Sequence, residues 1–114
     1  MIDEKKIKSA NIRVRLRKED KQAFTSKCAR LAVKTSDEFR VLLDRLLNTE
    51  EIASYMQRPR VMPTGMYLNE KNEESSMSIR ISPTEQTNFY KLCKEAGYTP
   101  SKVARCIIQD WCKN

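Results

Sequence analysis

The chain has 114 residues, enough for one domain or two very small ones. It holds 22 Lys and Arg against 15 Asp and Glu, a net charge of +7, and no histidine. The missing histidine removes the commonest general base and the commonest metal ligand together. Only two glycines occur, Gly65 and Gly97, so no P-loop or dinucleotide-binding glycine motif can be written. These counts point away from an enzyme and toward a binding protein with no catalytic residues, cofactor or metal. No apolar run approaches about 18 residues and the first residues lack an apolar leader core, so a cytoplasmic protein with no membrane partner is expected. Cys28, Cys93, Cys106 and Cys112 then read as reduced thiols, since disulfides are rare in that compartment, and their spacing holds no CxxC pair for a structural zinc site. The basic balance of the chain points to nucleic acid.

In chain order, the first predicted element is a strand. Ile12-Arg13-Val14-Arg15-Leu16-Arg17 alternates strictly, with three apolar side chains on one face and three arginines on the other. A helical period follows, with Phe24, Cys28 and Leu31 on one stripe. Thr35-Ser36-Asp37-Glu38 reads as a capping box that opens a second helix burying Phe39, Leu42, Leu43 and Leu46. Residues 48–75 form a connector of 3 basic and 5 acidic residues, whereas 1–47 carry 13 against 7 and 76–114 carry 6 against 3. Thr49–Met56 is expected either to extend the preceding helix or to form a short one, and Arg60–Leu68 to form a small hairpin.

A second strand, Met77-Ser78-Ile79-Arg80-Ile81-Ser82, alternates like the first. Ser82-Pro83 supplies an N-cap and a proline at the first helical position, and Phe89, Leu92, Cys93 and Ala96 continue at helical spacing. Gly97 is placed to end that helix in the left-handed conformation. A last helix starts at Thr99-Pro100 and buries Val103, Ile107 and Trp111, while Asp44 and Asp110 are expected on exposed helix faces.

Sliding the chain on itself by 65 residues aligns Ile12–Leu47 with Met77–Cys112 without a gap. Five positions are identical: Arg15/Arg80, Phe24/Phe89, Cys28/Cys93, Ser36/Ser101 and Arg40/Arg105. The apolar pattern coincides as well, at Ile12/Met77, Val14/Ile79, Leu16/Ile81, Leu42/Ile107, Leu43/Ile108 and Leu46/Trp111. Each copy is strand, helix, turn, helix. A lone amphipathic strand leaves its backbone unpaired, and one strand with two helices buries too little apolar surface. The expected fold is therefore α+β and mostly helical, with both strands paired as an antiparallel ribbon on four helices.

With these residues in place, the chain resembles two fused ribbon-helix-helix units of the MetJ/Arc repressor superfamily. The units cover residues 10–47 and 76–113, joined by the connector at 48–75 into an intramolecular pseudo-dimer. The tandem arrangement is most similar to the TraY family of conjugative relaxosome accessory proteins. The resemblance implies a ribbon that enters the DNA major groove and reads base edges from its outward face. Carried over, the reading residues are Asn11, Arg13 and Arg15 from the first strand and Ser76, Ser78 and Arg80 from the second. A ribbon symmetric about its middle sets Arg13 opposite Ser78, Asn11 opposite Arg80 and Arg15 opposite Ser76. Phosphate contacts fall to Arg17, Thr35, Ser36, Thr99, Ser101 and Lys102, at strand ends and at helix N-termini.

The resemblance implies double-stranded DNA as partner, together with a relaxase or other relaxosome proteins, and cooperative self-association on DNA. Because the strands differ, an asymmetric target is expected, with stronger guanine preference on the side of the first strand. A stand-alone repressor with the same docking mode is the alternative, and a protein-interaction module whose ribbon no longer binds DNA is the outsider. An antitoxin fits less well, since a second folded unit stands where its disordered tail would be.

Overall fold

Apolar side chains on one face of a short strand need a cover, and strand edges need partners. A computed structural model, which describes residues 10–58 and 74–113, meets both needs within one chain. Its elements are β1 (Ala10–Arg17), α1 (Lys18–Arg30), α2 (Thr35–Thr49), α3 (Ile52–Gln57), β2 (Glu74–Ile81), α4 (Pro83–Ala96) and α5 (Pro100–Lys113). The fold is α+β and mostly helical. The two strands form an antiparallel sheet in which Asn11 faces Arg80, Arg13 faces Ser78 and Arg15 faces Ser76. No helix among the described residues is long and apolar enough to cross a membrane.

The inward face of the sheet carries Ile12, Val14, Leu16, Met77, Ile79 and Ile81, all buried. Period-2 alternation thus translates directly into one dry face and one wet one. Below the sheet, Phe24, Phe39 and Phe89 have no exposed surface, and each contributes roughly 2–3 kcal/mol of burial. Phe39 and Phe89 meet edge to face at 6.5 Å, and Phe24 meets Trp111 likewise at 5.5 Å. Cys28 and Cys93 lie in the same core.

α4 starts as its sequence predicts. Ser82 Oγ accepts from Glu85 N at 3.1 Å, the Glu85 carboxylate accepts from Ser82 N at 2.9 Å, and Pro83 occupies the first turn. α2 departs from expectation. Its N-cap is Lys34, whose side chain makes no cap hydrogen bond, and Thr35 is already helical. The capping box read at Thr35–Glu38 does not form, because the helix begins one residue earlier and Thr35 stands inside it rather than at the N-cap; the Ser36 hydroxyl serves the edge of β2.

α1 and α4 end in the same backbone motif. Val33 N donates to Cys28 O and Ala32 N to Ala29 O, while Tyr98 N donates to Cys93 O and Gly97 N to Lys94 O. The left-handed residue is Gly97 at φ 86° in one and Ala32 at φ 58° in the other. The turn after α1 leaves Leu31 55% exposed, which corrects its reading as part of the α1 core stripe. Leu31 is the C-cap residue, one step past the last helical turn, so the helical period no longer governs where it points.

Glu50, in extended conformation, stops α2, and a separate helix α3 follows. α3 packs on α4 and α5 through buried Ile52 and Tyr55. Tyr55 Oη donates to Asp110 Oδ2 at 2.5 Å, so Asp110 is half-buried rather than on an exposed face, whereas Asp44 is exposed as expected. The hairpin expected over Arg60–Leu68 lies outside the described residues.

A methyl group on Gly97 meets nothing within 4 Å, so its substitution tests backbone strain alone. Gly97→Ala is expected to cost about 1 kcal/mol, and Ala32→Gly to gain several tenths up to about 1 kcal/mol. Urea or thermal unfolding of the two variants measures both signs in one protein.

Candidate nucleic-acid interface

The outward face of the sheet follows from the same alternation that builds the core. Asn11, Arg13, Arg15, Ser78 and Arg80 are exposed, and Ser76 is half-buried. The register brings all six predicted reading residues onto one surface, as three facing pairs. Three are arginines and none is acidic, so the face presents fork-shaped donors. Strands lie about 4.8 Å apart and same-face neighbours about 6.8 Å apart along a strand. A two-stranded ribbon of that width fits a B-DNA major groove about 12 Å wide.

The outer edges of the ribbon are closed by side chains from the helices. Arg15 N donates to Ser101 Oγ at 2.9 Å, and Arg80 N donates to Ser36 Oγ at 2.9 Å. Two positions that match across the 65-residue offset thus make the same bond in opposite directions. Each bond ties a strand residue carrying an outward arginine to the first turn of α5 or α2. On the β1 edge, Arg105 Nη1 also donates to Arg15 O at 3.2 Å, and Gln86 Nε2 to Asn11 O at 2.8 Å. Sequence reasoning missed Gln86, which carries no pattern signal. It had a hint of Arg105 in the Arg40/Arg105 identity; Arg40 itself pairs with Glu85 at 3.1 Å.

Thr35 and Ser36 therefore stand beside β2, and Ser101 beside β1, at the two flanks of the arginine face. First-turn N–H groups of a helix have no intrahelical acceptor, and α2 has no side-chain cap to occupy them. At α5, Thr99 Oγ1 accepts from Lys102 N at 3.2 Å, and Lys102 is exposed next to the Tyr98 ring. Asp37 and Glu38 lie in the first turn of α2, whereas the first turn of α5 has no acid.

Arg17 behaves differently from the other predicted phosphate contacts. Its guanidinium donates to both Asp20 oxygens, at 3.0 and 2.8 Å, with only 15% of its side chain exposed. Gln109 Nε2 donates to the same carboxylate at 2.9 Å. Burial pushes the Asp20 carboxyl up, but the Arg17 and Gln109 hydrogen bonds and the Arg17 charge outweigh it and hold the group below its ordinary range. The triad joins the end of β1 to α1 and α5. Sequence reasoning missed Asp20 and Gln109, whose polar character gave no sign of burial.

Burial raises the thiols of Cys28 and Cys112 and pushes that of Cys93 up to about 12. They are packing groups at neutral pH rather than nucleophiles. Among the described residues no three His, Cys, Asp or Glu side chains are grouped to hold a metal.

Asp20→Asn is expected to cost about 2 kcal/mol at neutral pH, the worth of bonds to a charged group. The folded carboxyl titrates below the unfolded one, so its contribution is present above the unfolded value and is lost as pH falls. Denaturation of both proteins as a function of pH should show the gap closing below about pH 4. In the same way, Ser101→Ala should speed amide hydrogen exchange at Arg15, and Ser36→Ala at Arg80, each without affecting the other strand edge.

No protein-family model, curated protein or solved structure matches the chain at a significant level.

Proposed function

We propose that this chain is a sequence-specific double-stranded DNA-binding protein of the ribbon-helix-helix type, with two units fused into an intramolecular pseudo-dimer. The observation that carries the reading is the exposed β1–β2 face, with Arg13, Arg15 and Arg80 outward and a wholly apolar layer beneath. Arginine forks suit guanine O6 and N7, and Asn11 suits adenine N6 and N7. Support also comes from the reciprocal serine bonds, which set a helix N-terminus at each edge of the ribbon. Thr35, Ser36, Thr99, Ser101 and Lys102 hold the phosphates, with α5 the stronger clamp because its first turn lacks carboxylates. Arg17, committed to Asp20, ties the end of β1 to α1.

The chain acts as a cytoplasmic, non-enzymatic accessory factor at an origin of transfer. It marks the site for a separate relaxase and adjusts transcription nearby. Neighbouring molecules on adjacent turns of DNA add the specificity that one short ribbon lacks.

Selection of bound duplexes from a random pool, with Arg13→Ala/Arg15→Ala alongside, tests the reading. A short asymmetric motif is expected from the wild type. The variant loses it, at about 1–3 kcal/mol of discrimination for each arginine. Affinity should fall with salt at a log–log slope near −5 if about 6 phosphates are neutralised. A pool that yields no motif, bound equally by both proteins, reduces the arginine face to a charged edge. A motif beside a nick site assigns the relaxosome role, and one at promoters assigns a repressor.

A further inference from the structure

A groove of about 650 Å³ runs between the α2–α3 junction and α4, away from the arginine face. Leu47, Leu92 and Ala96, all half-buried, and Ile52 form its apolar floor. Glu51 and Glu95 stand on its rim, both exposed and without an ion-pair partner among the described residues. In a chain of net charge +7, an acidic rim over an apolar floor selects a partner surface of opposite character.

The chain carries such a surface at the end of α1. Leu31, at 55%, is the most exposed large apolar side chain among the described residues, with Val33 beside it at 37%. Arg30 and Lys34 flank them and are exposed. α1 packs on β1, β2, α2 and α5, and α4 on β1, α3 and α5; the Leu31–Val33 turn precedes the first turn of α2 and the groove lies at its last, so the two features are separate surfaces. At the 65-residue offset, Leu31 corresponds to Ala96 in the groove itself. If the paired-unit reading holds, knob and groove face in opposite directions.

We propose that the groove receives the α1–α2 turn of a second copy of this chain, with Leu31 inserted among Leu47, Ile52 and Leu92. Arg30 and Lys34 of one copy then meet Glu51 and Glu95 of the next. Knob and groove are different surfaces, so the contact is heterologous. Copies add head to tail in a row rather than closing into a dimer. The volume takes the whole Leu31–Val33 turn, and the leucine supplies most of the attraction because exposed ion pairs contribute little. A row of this kind has a direction, as does a DNA site read by two unlike strands. The inference thus extends the DNA-binding reading while using none of its contact residues.

Sedimentation of the full chain without DNA, at low salt and from micromolar to submillimolar concentration, tests it separately from DNA binding. The wild type should show open-ended, concentration-dependent growth. Leu31→Glu, on the surface and harmless to folding, should weaken association at least about tenfold. Arg30→Glu and Glu95→Arg should each weaken it, and the two together should restore it. A wild type that stays monomeric throughout overturns the proposal, as does a Leu31→Glu chain that associates normally, and either leaves the groove to a different protein. A discrete dimer, with no larger species, overturns the head-to-tail geometry. None of these results bears on the duplex selection, which stands or falls on Arg13 and Arg15.

Discussion

Everything in this molecule depends on β1 and β2 finding each other. Each is an eight-residue strand with one apolar face, and neither can satisfy its backbone alone. Pairing converts two unstable edges into one ladder. It also joins Ile12, Val14, Leu16, Met77, Ile79 and Ile81 into a single apolar floor on which the helices close. The register is held by that floor: a slip of one residue would turn every arginine inward and every aliphatic outward. The geometry of the exposed face is therefore a by-product of core packing, and it is as rigid as the core.

A two-stranded sheet still has two open edges, and the helices close them without adding strands. Ser36 and Ser101 accept strand N–H groups, and Arg105 and Gln86 donate to strand carbonyls. The ribbon is thereby protected from pairing with foreign strands while its face stays open. Three of the five identities in the repeat belong to this neighbourhood (Arg15/Arg80, Ser36/Ser101 and Arg40/Arg105), and the other two, Phe24/Phe89 and Cys28/Cys93, are buried. Ser36 and Ser101 keep one role in both halves, whereas Arg105 donates to a strand carbonyl and Arg40 pairs with Glu85.

Much of this was legible in the sequence, because alternation and helical period report which face is buried. Both strands, the four long helices, the Ser82 cap and the Gly97 terminus follow from pattern, and the register from the ribbon symmetry that the family resemblance implies. The failures share a cause. The Ser36 hydroxyl and Asp110 have partners 44 and 55 residues away in sequence, and Asp20 joins nearby Arg17 to Gln109, 89 residues on. Local rules assign such side chains to a cap or to solvent, because sequence spacing does not report distant partners. Leu31 fails for the opposite reason, since periodicity was extended one residue beyond the helix that carries it. On the candidate site, the six outward residues were legible, whereas the supports beneath them, Gln86 and Arg105, were not.

The facing pair Arg13 and Ser78 shows what it means to encode the two sides of a ribbon separately. In a ribbon made from two copies of one strand, a single codon change alters two places at once, and any new binding preference must suit both. Here one codon changes one corner. The surface can drift a residue at a time, with the opposite side held constant as an anchor. For the binding role proposed above, preferences intermediate between old and new are then reachable by single steps, which a ribbon of identical strands cannot take.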